Sequence, residues 1–253
     1  MEYDVLLELA ADMGCRLMTS GAEIYRVEES MQRILNAYGL SSAEVFAIPN
    51  CIIVSVTTPE GRSITRMRRI AAHGTDIELL ERCNSLCRRL CTEVLPLPEA
   101  RALLAEIPRE ERHFSLPVLL LGYGLAPMFF TAMFGGTLFD AVSAFLIGVV
   151  IGLLQFYGTR LLPANSFVRT AFCSAVASFL SPLFVHLGFG AHIDLISIGA
   201  LMLLVPGVAI TNAMREIMAG DTISAISQMS DALLCAVAIA LGAAVGFSVG
   251  RML

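Results

Sequence analysis

From residue 113 onward the chain carries only four arginines and five acids, so each ionisable group there stands against an apolar background. Asp231 lies several residues into the apolar run that starts at Ile223. It reads either as a proton-coupling or solute-facing carboxylate, or as a group at headgroup level near a helix start. Ionisable groups inside a bilayer are costly and commonly face a cavity or pathway. Asp140 follows Thr137 at capping-box spacing, which places it at a helix N-terminus. Asp194 and Asp221 each precede an apolar run and read as helix caps. Asn212, Arg215 and Glu216, at i, i+3 and i+4, share one helical face. An arginine can clamp a carboxylate through paired hydrogen bonds. Arg215 can equally be a loop residue paired with Glu216.

Pro206-Gly207 lies just upstream of Thr211 and Asn212 and interrupts an apolar run. Proline removes a backbone bond and glycine loosens the chain. The result is either an ordinary kink or a broken helix whose exposed ends bind a solute. Ala126-Pro127 and Ser181-Pro182 are weaker versions of the same pattern.

The elements that position these groups follow from composition. The chain has 253 residues, 56% of them hydrophobic and 15% charged, with a mean hydropathy of +0.73. Most of the charge sits before residue 113, which marks a boundary between domains 1–112 and 113–253. A membrane-crossing helix needs about 20 apolar residues. Five segments qualify: about 115–134, 137–157, 167–187, 195–212 and 223–250. Arginines flank this set unevenly. Arg109, Arg112, Arg160, Arg169 and Arg215 fall on one side, and the links at Gly135-Gly136 and 188–194 carry none. The positive-inside pattern then places the N-terminal domain in the cytosol and the C-terminus outside. Gly148 with Gly152, and Gly242 with Gly246 and Gly250, repeat the spacing of close helix contact, within the chain or toward a second one.

The first 112 residues read as an α+β domain. Helices are expected over 1–20, from Ser20-Gly21-Ala22-Glu23 (a capping box) to about Tyr38, and over 75–95 and 98–107. Gly39 is a helix stop. Strands are expected over 43–48, 51–57 and 62–70, with a turn at Thr58-Pro59-Glu60-Gly61. The fold class is therefore a membrane protein: a cytosolic α+β domain followed by a five-helix transmembrane bundle.

The sequence excludes several activities. It contains no lysine, so neither a P-loop nor Schiff-base chemistry is available within it. No nucleophile–base pattern or nucleotide loop is present, and the chain is not expected to be an enzyme or to hold a cofactor. His73 and Cys51 have no partner at metal-ligand spacing, and no metal is expected. Cys83, Cys87 and Cys91 form a helical stripe best read as packed, reduced thiols. The arginines at 62, 66, 68 and 69 lie in a charge-balanced domain without interleaved aromatics, which argues against nucleic acid. The acidic start Met1-Glu2-Tyr3-Asp4 is not that of a signal peptide.

The segment Ser20-Gly21-Ala22-Glu23-Ile24-Tyr25-Arg26-Val27-Glu28-Glu29 resembles the opening motif of the threonine/serine exporter family. Pro206-Gly207, Thr211-Asn212, Gly220-Asp221 and Gly135-Gly136 with Asp140 are similar to that family's membrane signature, in the same order along essentially the whole chain. The resemblance implies a bacterial inner-membrane secondary exporter of small carboxylate-bearing metabolites. Threonine and serine are the cargo of one branch and succinate is associated with a split, two-gene branch. Because the chain stops after five helices, it resembles the larger subunit of the split form, which implies a small integral membrane partner. Under this reading Asp140 is a carboxylate at the outer end of the path. Glu23, Arg26, Glu28 and Glu29 form a polar cluster at the cytosolic mouth, or else a solvated helix face. A membrane-anchored sensor or scaffold with a ligand-binding domain is the alternative.

Overall fold

A computed structural model describes residues 3–58, 61–70, 74–107, 114–161 and 165–251. Pro59, Glu60, His73, Arg109 and Arg112, and the side chain of Arg160, lie outside the described residues. The chain divides into two units. The first comprises Met1–Arg112 together with Thr211–Gln228, and the second His113–Ile210 together with Met229–Leu253.

The first unit opens with helix α1 (Tyr3–Thr19) and helix α2 (Ile24–Ala37). Strands β1 (Glu44–Ile48), β2 (Cys51–Thr57) and β3 (Ser63–Arg69) follow, then helices α3 (Ile77–Glu93) and α4 (Leu97–Glu106). The strands form an antiparallel meander in the order β1-β2-β3, with Val54 opposite Val45 on one side and Arg66 on the other. On β2, Ile52, Val54 and Val56 are buried while their neighbours are not, the period-2 signature of a sheet with one covered face. That face and helices α2, α3 and α4 all pack on α1. Leu6, Leu9, Met13 and Leu17 of α1 are buried against Val27, Met31 and Ile34 of α2 and Cys83 and Leu90 of α3. The acids of α1 line one edge: Arg66 pairs with Asp4 at 2.6 Å, Arg68 with Glu8 and Asp12 at 3.3 Å, and Arg101 with Glu8 at 3.0 Å. These exposed pairs contribute little stability each, but they account for Arg66 and Arg68 of β3.

The second unit is helical: α5 (Leu116–Met133), α6 (Leu138–Leu161), α7 (Ser166–His186) and α8 (Ile193–Leu201), with parts of α9 (Gly207–Ala219) and α10 (Thr222–Gly250). Helix α6 is the most enclosed, with Ile147 and Ile151 fully buried. Among the described residues, four helices are long and apolar enough to cross a membrane: Leu116–Met133, Leu138–Gly158, Ser166–His186 and Thr222–Gly250. The expected helix over 195–212 does not form as one span. It is broken into α8 and α9 across Met202–Pro206, where Pro206 has no N–H to continue the ladder and Gly207 follows it directly. The Leu204 carbonyl, released by the break, accepts from the Cys235 thiol of α10 at 3.4 Å. Pro127 and Pro182, by contrast, lie inside continuous helices.

The glycine pairs have a definite use. A Cβ on Gly148 would strike the Tyr123 carbonyl of α5 and lie 2.8 Å from Pro127 Cγ, and one on Gly152 would lie 2.9 Å from Tyr123 Cβ. Cβ atoms on Gly242 and Gly246 would meet the Ala171 and Ala175 carbonyls of α7. Both small-residue faces are therefore taken up inside the chain.

Candidate functional site

The entry to α2 is built differently from a capping box. Ser20-Gly21-Ala22 closes α1: the Ala22 N–H donates to Leu17 O at 3.0 Å and the Gly21 N–H to Met18 O at 3.2 Å. This is a Schellman motif, which needs a left-handed residue at Gly21, and Gly21 has φ +93°. The Ser20 hydroxyl donates back to Leu17 O at 2.8 Å and is not free to cap α2. Glu23 holds the N-cap position of α2 but makes no side-chain cap. The cap comes from α9, 192 residues away: Glu216 Oε1 accepts from the Ile24 N–H at 2.6 Å.

Around that cap the two motif segments meet within the first unit. Arg215 donates to Glu23 Oε1 at 2.8 Å, so its partner is Glu23 and not the expected Glu216. Arg26 approaches Glu23 Oε2 at 3.8 Å. Glu216 is fully buried, and its Oε2 has no hydrogen-bond partner among the described residues. Burial, with Asp221 and Glu23 nearby, pushes its carboxyl above the usual range against the opposing pull of the Ile24 and Tyr25 N–H groups. Glu28 is also raised, chiefly by burial, while its Oε1 accepts from the Ala47 N–H of β1 at 2.6 Å. Glu29 pairs with Arg33 at 2.6 Å on the exposed face of α2. Asp221 caps α10 as expected, accepting from Ser224 N at 3.1 Å and Ser224 Oγ at 2.6 Å. The arrangement can hold a charged solute group at Arg215 or Glu23, and can hold a proton on Glu216. The sequence placed Glu216 on the right face but gave no sign of its burial or its role as a cap.

The other candidates lie in the second unit or on α9. Asp140 is fully buried. Its Oδ2 accepts from the Thr137 N–H at 2.9 Å and hydroxyl at 2.7 Å, and its Oδ1 from the Ala191 N–H at 2.7 Å and the His192 N–H at 3.1 Å. His192 Nδ1 lies 2.9 Å from Oδ2. Asp140 thus caps α6 and pins the loop entering α8. Asp194 is exposed in the first turn of α8, whose N-cap is His192, so it does not cap as expected. Replacing Asp140 by asparagine puts an amide donor opposite donors and is expected to cost about 3 kcal/mol. Denaturant unfolding of the purified protein in detergent checks this. Asp231 is exposed on α10, and Gly207 at the helix break faces open space. Thr211 is exposed and Asn212 half-buried on α9.

No group of three or more metal-ligating side chains is assembled among the described residues. None of the seven cysteines is in a disulfide. Burial raises the Cys83 thiol to about 11 and the Cys87 thiol to about 12, as expected of packed, unreactive groups.

Four apolar spans and the buried polar residues among them define a multi-pass membrane protein. Residues 8–250 match the family model of the ThrE threonine/serine exporters, and the chain belongs to that family. It is 22% identical to the "Threonine/serine exporter" of Corynebacterium glutamicum over 98% of its own length and 52% of the relative. It is 24% identical to the "Probable threonine/serine exporter" of Mycobacterium tuberculosis, over 94% of this chain and 45% of that one. "Pheromone-regulated membrane protein 10" of Debaryomyces hansenii is 26% identical over 92% of this chain and 23% of that protein. The chain therefore spans about half, or less, of the length of these relatives. No solved structure matches it.

Proposed function

We propose that the chain is one subunit of a secondary exporter of small carboxylate-bearing metabolites, threonine and serine or a dicarboxylate such as succinate. The observation that carries this reading is the cluster at the α2 N-terminus, where Arg215 pairs with Glu23 at 2.8 Å and Glu216 is buried with one oxygen unpartnered. It joins the two segments whose resemblance to the exporter family is strongest. Arg215 offers a guanidinium to the carboxylate that both cargo classes share. Glu216 offers a group whose charge is easily neutralised by a proton, as coupling to a proton gradient requires. The broken α8–α9 element places helix ends inside an apolar segment, as in elements that line solute paths. Asp231, exposed on α10, is the carboxylate left for a partner helix to cover. In this reading that partner is a small integral membrane subunit supplying further spans. With the broken α8–α9 element counted as a fifth crossing, the arginine distribution supports the first unit in the cytosol and the C-terminus outside, and the likeness to bacterial exporters supports an inner-membrane location.

Efflux from cells preloaded with labelled threonine, serine or succinate tests this. Faster efflux of one solute is expected when chain and partner are co-expressed, falling at least about tenfold in Arg215→Gln. Unchanged efflux of all three, with both proteins present in the membrane, overturns it.

A further inference from the structure

A groove of about 660 Å³ lies between α2 and α3 of the first unit. It is within the size range of small-molecule sites and larger than a three- or four-carbon metabolite fills. Its α2 wall carries Arg26, Ser30 and Arg33, at i, i+4 and i+7, and its α3 wall carries Leu80, Asn84 and Arg88, at i, i+4 and i+8. Each set is one helical face. Three guanidiniums from two helices thus converge on one hollow whose floor includes the buried thiol of Cys87.

The charges are poorly compensated. Arg82 and Arg89 of α3 are paired with Glu78 at 2.6 Å and Glu93 at 2.8 Å. Arg88 makes no ion pair among the described residues. Arg33 is held by Glu29, but both side chains are more than half exposed. Arg26 reaches Glu23 only at 3.8 Å. Such exposed pairs contribute at most about 1 kcal/mol and yield readily to a stronger acceptor. The second acid in the groove, Glu81, accepts from Ser85 Oγ at 3.0 Å. A phosphate accepts from several directions and suits guanidiniums arriving from both walls. From Ile77 to Arg88 the α3 wall runs about 16 Å, and at its start Ile77 is exposed and Leu80 half-buried, an apolar surface for a ring.

We propose that this groove binds an organic phosphate of nucleotide size, with its phosphates on Arg33 and Arg88 and its ring over Ile77 and Leu80. Arg26 borders both the groove and Glu23, so occupancy is read by the cluster at the α2 N-terminus. The site stands independently of the export reading.

Calorimetric titration of the full-length protein in detergent with ADP, and separately with pyrophosphate, tests it. Saturable ADP binding is expected, with pyrophosphate weaker because it lacks the ring. Arg33→Gln and Arg88→Gln are each expected to weaken ADP about tenfold while leaving the unliganded melting temperature unchanged. No ADP binding at millimolar concentration overturns the proposal, as does ADP binding unaltered in the double variant. Arginine-dependent binding of phosphatidylglycerol vesicles without ADP binding overturns it too, and assigns the arginines to lipid headgroups.

Discussion

Gly148→Leu is expected to destabilise the second unit by at least about 3 kcal/mol and to lower its yield from membranes. The cause is backbone against backbone. A side chain at 148 points into the Tyr123 carbonyl of α5, with Pro127 Cγ 2.8 Å away, and neither can rotate aside. Without a strong hydrophobic drive between helices in lipid, this close approach is itself the source of the attraction. Gly122→Leu is the control. It lies on α5, the helix that Gly148 of α6 packs against, but a Cβ there meets nothing within 4 Å, and the change is expected to stay within about 0.5 kcal/mol. Thermal unfolding of both variants in the same detergent checks the pair. Equal stability of the two would mean that α5 and α6 are not packed through Gly148.

Glu216→Ala is expected to cost about 2 kcal/mol, since it removes the acceptor for the Ile24 N–H and leaves a buried helix terminus uncapped. Glu216→Gln keeps an acceptor oxygen for that N–H and removes the charge, so its expected signature lies in pH dependence. The folded-state pKa of Glu216 is raised above its ordinary value of 4.5. Its favourable contribution is therefore fully present below about that value and is lost as pH rises through the higher folded value. The wild-type melting temperature should fall over that interval, and Gln should flatten the fall. Glu28, raised in the same direction, keeps part of the slope in the variant. A melting curve series from pH 4 to pH 8 reads both. A slope identical in wild type and Gln would show that Glu216 does not change charge in that range.

Most helices and strands of the first 107 residues were legible from apolar period and turn residues, β3 from its place after a turn rather than from alternation. β2 alternates, and α2 repeats its apolar residues at Ile24, Val27, Met31 and Ile34. The four long spans were legible from length and apolarity alone. What escaped the sequence depends on partners far away in the chain. Ser20-Gly21-Ala22-Glu23 has the composition of a helix start, yet it is a helix end, because the start of α2 is supplied by Glu216. Arg215 and Glu216 adjoin in sequence and looked like a pair, but α9 buries one and turns the other to Glu23. Pro127 and Pro182 read as weaker versions of the Pro206-Gly207 pattern. Of the three only Pro206 stands at a helix break, and of the three it alone is followed by a glycine. The spacing of Gly148 and Gly242 was plain, but nothing local identifies the helix each one meets.

The long-range cap on α2 also sets an order of events during synthesis. The first unit can bury its α1 core as soon as about a hundred residues have left the ribosome. Its α2 terminus and Glu23 then wait until residues 211–228 arrive, after four more helices have been made. During that interval the nascent unit carries an uncapped helix, and Glu23 has only Arg26 near it. The last stitch that closes it is made only after α5 to α8 exist, and before most of α10 has been added.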